Sequence, residues 1–168
     1  GLAVGCTTGW LTVRFAPDAS GSGIPHIKAV LRGLRDMTWK ALLPVKFIGG
    51  VLAIGGGLAL GREGPSVQMG AAIGEVLGRA FGRNWTDCRV LLAAGAGAGL
   101  ATAFNAPIAG AVFVLEELMR RFETRTAIAG LGASASAIAV AHMLLGVAPD
   151  FHIEPQRYPG LGTVYIHL

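Results

Sequence analysis

Three groups of polar residues in this chain have types and spacings that could do chemistry, and each interrupts or closes an apolar stretch. Gly61-Arg62-Glu63-Gly64-Pro65 follows the apolar Ala53–Leu60 with no linker between them. Gly21-Ser22-Gly23-Ile24-Pro25 combines flexible glycines with a hydroxyl and a proline. Glu116-Glu117 closes another apolar run, with Arg120 and Arg121 just beyond. In the first two, proline falls where a helix begins, which predicts a helix N-terminus with free N–H groups and a positive dipole end. Both features favour an anion. Ser22 is read as the N-cap of its helix, with Pro25 in the first turn. Taken alone, that pentapeptide is also an ordinary helix start.

Glu63 has two readings beside the bland one of a surface ion pair in an exposed turn. It stands at membrane depth as a functional carboxylate, or it caps the helix it precedes. About 15 uncharged residues lead into it, some 22 Å as helix, which fits an exposed turn poorly. A carboxylate and a small anion carry the same charge, so one set of N–H groups binds either. Ionised, Glu63 would block such a site; protonated, it would leave, and the two ligands are then thermodynamically coupled. Glu116 and Glu117, at a helix C-terminus, oppose the dipole, and Arg120 and Arg121 are the expected compensating partners.

The elements that must position these groups follow from composition. Of 168 residues 52% are hydrophobic and 14% charged, against about 25% charged in an ordinary soluble domain. That excludes disorder, and the 26 glycines lack the every-third period of collagen. Charge is absent from Phe47–Gly61, from Val90–Leu115 and from Thr126–Pro149. The latter two are long enough to cross a bilayer. Asn105-Ala106-Pro107 divides the middle stretch, so it reads as helices Arg89–Phe104 and Ala106–Glu117, the second starting on Pro107. Gly64–Phe81 reads as a further helix. The fold class is therefore all-α, a polytopic membrane protein with broken helices, which only a protein-lined interior tolerates.

Gly70, Gly74, Gly78 and Gly82 recur every fourth residue, Gly95 and Gly99 repeat the spacing, and Ala129, Ala133, Ala137 and Ala141 give an alanine version. Such stripes let helix backbones approach closely in lipid. Lys28, Arg32, Arg35 and Lys40, and again Arg120, Arg121 and Arg125, read as cytoplasmic flanks. No basic face interleaves aromatics, which argues against nucleic acid. No G-x-G-x-x-G pattern follows a strand, Cys6 and Cys88 have no metal-ligand or disulfide spacing, and no cofactor is expected. His142, in an apolar helix, reads as a packed neutral side chain.

GSGIP at 21–25, PVKFIGG at 44–50, GREGP at 61–65, and GLATAFNAPIAG ending in VFVLEE at 99–117 resemble, in this order, the CLC family of chloride channels and chloride/proton exchangers. These motifs span about 100 of the 168 residues. The resemblance implies the first of two inverted repeats of a fold with tilted, broken helices, a multi-pass protein of the bacterial inner membrane rather than an enzyme. It implies chloride and protons as the transported ions and a homodimer for the full-length chain, with a face on the Ala106–Glu117 and Ala129–Gly146 helices. Ser22 would coordinate the central chloride, amides of Gly21 and Ser22 would form the inner anion site, and those around Arg62, Glu63 and Gly64 the outer one. Glu63 would be the external gating glutamate and Glu117 the internal proton glutamate. An acid at 117 favours an H+/Cl- antiporter; the alternatives are a passive chloride channel and a non-transporting membrane fragment. Residues 1–149 would form the transmembrane half and 150–168 a connector to an absent second half, so that a fragment unable to conduct alone is expected.

Overall fold

A computed structural model describes residues 2–146, and every regular element among them is helical. The expected connector at 150–168 lies outside the described residues. Helix α1 (Leu2–Phe15) leads through a 3-10 turn at Pro17–Ala19 to the short α2 (Ile24–Leu31). Then come α3 (Trp39–Gly55), α4 (Glu63–Ala80) and α5 (Trp85–Phe104). Helix α6 (Pro107–Phe113) runs on as a π-helical segment, Val114–Met119, before α7 (Thr124–Leu145). Ile27, Leu42, Val67, Leu92 and Val114 are all fully buried, so one core joins α2, α3, α4, α5 and the π segment.

The glycine spacing explains the closest pairing, the antiparallel α4 and α5. A Cβ on Gly70 would collide with the Gly95 carbonyl, and one on Gly95 with the Gly70 carbonyl. Gly74 lies against Leu91 and Gly78 against Cys88. Dispersion between backbones supplies the attraction here, because lipid is as apolar as any side chain. Gly82 does not belong to the stripe. It adopts φ +61 with nothing within 4 Å of a Cβ position, and it ends α4 in the left-handed turn that glycine makes at low cost. The alanine stripe of α7 is likewise displaced: the buried face is Thr126, Gly130, Ser134 and Ile138, with the four alanines half-buried beside it.

Boundaries differ from expectation where local polar groups decide them. Helix α5 begins at Trp85 rather than Arg89, because Asn84 caps it by accepting a hydrogen bond from the Asp87 N–H at 2.8 Å. Helix α3 stops at Gly55, well short of Gly61, and Gly57 turns the chain at φ 79. The break at Asn105 stands as read: Asn105 sits at φ 53, ψ 39, and α6 starts on Pro107. Its continuation does not stay α-helical to Glu117, since Val114–Met119 is π-helical and Arg120 ends it at φ 54. His142 is half-buried, and its Nε2 pairs with Asn105 Oδ1 at 2.9 Å.

Among the described residues two helices are long and apolar enough to cross a membrane, α5 with mean hydropathy 1.2 and α7 with 1.8. Phe47, Val51 and Ile54 on α3, and Ile128, Leu131 and Val140 on α7, are exposed, as lipid-facing or partner-facing positions should be. In the full-length protein, Gly95→Leu should cost about 3 kcal/mol or more by overpacking, read as a lowered thermal midpoint in detergent. Gly132→Ala, with nothing within 4 Å of its Cβ position, should change stability by less than about 1 kcal/mol.

Candidate anion site

The two glycine-proline breaks meet. A Cβ on Gly64 would lie 2.7 Å from the Ser22 carbonyl oxygen and 2.9 Å from its Cα, so only glycine lets the start of α4 rest on the loop before α2. Gly23 packs against the Gln68 side chain in the same way, one turn further along α4. Gln68 is fully buried; its Nε2 donates to the Asp18 carbonyl at 2.7 Å and lies 3.2 Å from His26 Nδ1. The loop is thus pinned from both sides.

At each N-terminus the first turn leaves donors uncommitted, as helix geometry requires. The first bond of α2 runs from the Ile27 N–H to the Gly23 carbonyl at 3.0 Å, and that of α4 from the Ser66 N–H to the Arg62 carbonyl at 3.1 Å. Ser22 does not cap α2. The N-cap is Gly23 at φ 80, with Gly21 at φ 64 before it, and no side chain bonds the helix start. Two left-handed glycines bracket Ser22, a conformation only glycine adopts freely. The Ser22 hydroxyl is therefore not consumed by the helix.

Glu63 is half-buried and does not cap α4 either; the N-cap is Arg62 and no side-chain cap bond forms. Its Oε2 folds back over Gly61, so that a Cβ there would overlap it. Among the described residues no side chain donates to this carboxylate. Arg62 reaches across to α5, its Nη2 donating to the Ala103 carbonyl at 3.0 Å. A cation on the last-turn carbonyls of a helix is favourable with its dipole. The five residues read as anion ligands or gate, Gly21, Ser22, Arg62, Glu63 and Gly64, thus lie at one junction.

Lys46 is a member of this junction that sequence reasoning missed. It is 7% exposed on α3, and its Nζ donates to the Ala19 carbonyl at 2.8 Å and the Gly21 carbonyl at 2.6 Å. The ammonium holds two carbonyls of the loop toward itself and adds positive charge behind it. A lone lysine inside an apolar run was the signal available, since such a residue needs a partner at membrane depth. A cleft lined by Thr8, Thr12, Gly21, Lys46, Leu60 and Pro65 reaches both helix starts.

Glu117 lies apart from this junction, in the π segment, outside α5 and α7. Its partner is neither Arg120 nor Arg121, as expected from spacing, but Lys28 on α2, whose Nζ donates to Glu117 Oε1. Arg121 bonds Glu123 instead, at 2.6 Å. The hydrogen bond and charge of Lys28 hold the Glu117 carboxyl below the usual carboxylate range against an opposing cost of burial, and the charge of Arg120 adds the smallest effect. Arg32, Arg89, Arg120 and Arg121 line a common cavity, so members of both basic flanks and Arg89 of α5 gather at one end of the bundle.

Residues 4–167 match the family described as voltage gated chloride channel. The chain belongs to that family. It is 54% identical over 114 residues to the H(+)/Cl(-) exchange transporter ClcA of Vibrio cholerae, covering 67% of this chain and 24% of that protein. The ClcA exchange transporter of Cronobacter sakazakii is 53% identical over the same length and coverage. A solved slow cyanobacterial Cl-/H+ antiporter superposes with a TM-score of 0.84 at 38% identity, over 98% of this chain and 39% of that one. The all-helical fold is therefore the CLC fold of an integral membrane protein, and the chain spans about a quarter of the length of the curated relatives it matches.

Lys46→Met leaves the buried Ala19 carbonyl and the Gly21 carbonyl without their charged donor, an interaction in the range of about 1.5–3 kcal/mol. In the full-length protein it should weaken anion binding at this junction at least tenfold by titration calorimetry. Gly64→Ala should weaken it as well, by forcing α4 off Ser22.

Proposed function

We propose that this chain is the first half of a secondary transporter that exchanges chloride for protons. The observation that carries the reading is the contact of Gly64 with the Ser22 backbone, which brings two helix starts and a gating carboxylate to one point in a membrane protein. Gly21 and Ser22 supply the inner anion ligands, with the free hydroxyl of Ser22 toward a central chloride. The amides around Arg62, Glu63 and Gly64 supply the outer ones. Ionised Glu63 occupies the outer ligands itself; a proton removes its charge, the side chain withdraws, and chloride takes its position. Because one set of donors serves either ligand, proton and chloride binding are linked reciprocally.

Glu117 is the internal proton glutamate, exchanging protons with the cytoplasmic side, and it supports exchange over passive conduction. The naming of ClcA and of the cyanobacterial protein as proton-coupled chloride exchangers supports the same reading. Chloride is the cargo, with no cofactor required. The full-length protein sits in the bacterial inner membrane as a homodimer, for which exposed Ile108 and Val112 on the α6 segment and Leu131 on α7 offer an apolar face.

The test is proton and chloride flux measured together in liposomes with the full-length protein. Glu117→Gln should retain chloride flux and reduce proton flux at least tenfold. Glu63→Gln should abolish proton coupling and leave chloride flux insensitive to pH. Proton flux absent from the unaltered protein would identify a passive channel, and anion flux unchanged in Glu63→Ala would identify a non-transporting scaffold.

A further inference from the structure

We propose that Lys28 is a positioning residue for the internal proton step, clamping Glu117 in its ionised form until the contact opens toward the cytoplasmic side. The inference rests on the reading of Glu117 as the internal proton glutamate and adds a partner and a control to it. The two side chains are 89 positions apart in sequence, yet the Lys28 ammonium hydrogen-bonds the Glu117 carboxylate directly. Lys28 is 22% exposed and Glu117 46%, so the pair is anchored on one side and open to water on the other. Lys28 belongs to α2, about 6 Å along the helix axis from Ile24, immediately after the anion loop. One short helix therefore carries the chloride ligands at its start and the clamp on the proton glutamate near its end.

The segment holding Glu117 is suited to movement. Val114–Met119 is π-helical and ends at Arg120 in the left-handed region. Single π turns inside helices are rare and recur at functional sites. Proton loading is then a simple exchange. The Glu117 carboxylate takes a proton from cytosolic water, its charge is lost, and the Lys28 ammonium, still charged, releases it.

The other charges at this end do not substitute for Lys28. Asp87 on α5 and Arg125 on α7 bond each other at 3.0 Å, and Glu123 engages Arg121 at 2.6 Å. Glu116, Arg120 and Arg121 share the cavity that Glu117 lines, with Arg32 of α2 and Arg89 of α5 in the adjoining one. Those arginines add positive charge around the cavity, whereas among the described residues Lys28 alone hydrogen-bonds the carboxylate itself.

The experiment is proton-flux titration against cytoplasmic-side pH in liposomes, using the full-length transporter with monodisperse gel filtration as the check on folding. An opposite charge in contact lowers a carboxyl pKa by about 1–3 units. Lys28→Met should therefore move the pH of half-maximal proton flux upward by about one unit, and Lys28→Arg should keep the original profile. Lys28→Gln, which retains a donor without charge, should shift in the same direction and serves if the Met variant does not fold. A Lys28→Met or Lys28→Gln profile superimposed on the original overturns the inference. So does the same pH shift appearing in the chloride flux of a Lys28→Met, Glu117→Gln double variant. Proton flux surviving Glu117→Gln alone instead overturns the underlying reading of Glu117, whatever Lys28 does.

Discussion

Two helices that point their N-termini at one another repel, because each end carries about half an elementary positive charge. Here the ends of α2 and α4 are in backbone contact at Gly64 and Ser22, and a buried lysine stands behind one of them. Nothing apolar relieves that concentration of positive charge. A negative charge does, and the carboxylate of Glu63, folded back over Gly61, and an anion from solution can each supply it. The need for an anion is thus built into the way the helices pack, before any question of transport arises.

The packing that enforces this contact comes from residues with almost no side chain. Gly64 removes the atom that would separate the helix starts, and Gly23 does the same for Gln68. The glycines of α4 and α5 carry the closeness down the length of the pair. Gln68 and Lys46 bond the carbonyls of Asp18, Ala19 and Gly21, so the loop cannot satisfy itself by folding inward. Rigid surroundings keep the free donors free, which is what electrostatic preorganisation means at a binding site.

Features set by neighbours in sequence were legible in it. Proline after Asn105 and proline after Glu63 mark helix starts through local sterics, and both helices begin there. The four-residue spacing of Gly70, Gly74 and Gly78 reports a close helix contact without naming its partner. Features set across the fold were not legible. Lys46 reaches carbonyls more than two dozen positions away, and the partner of Glu117 lies on a different helix, so spacing pointed to Arg120 and Arg121 instead. Ser22 has the residue type of a cap, yet the left-handed Gly23 takes that position. The π turn had no sequence mark at all, since an α-helix and a π-helix share their apolar residues.

The hydrogen bond between His142 and Asn105 bears on how the break at Asn105 behaves. A chain reversal with a following proline is usually pictured as a pivot. Tied to the far end of α7, this one is braced like the corner of a truss, so α5, α6 and α7 transmit force as one frame. Any rearrangement is then directed away from that corner and into the opposite end of the frame, where, among the described residues, the π turn is held from α2 by a single polar contact, Lys28 on Glu117.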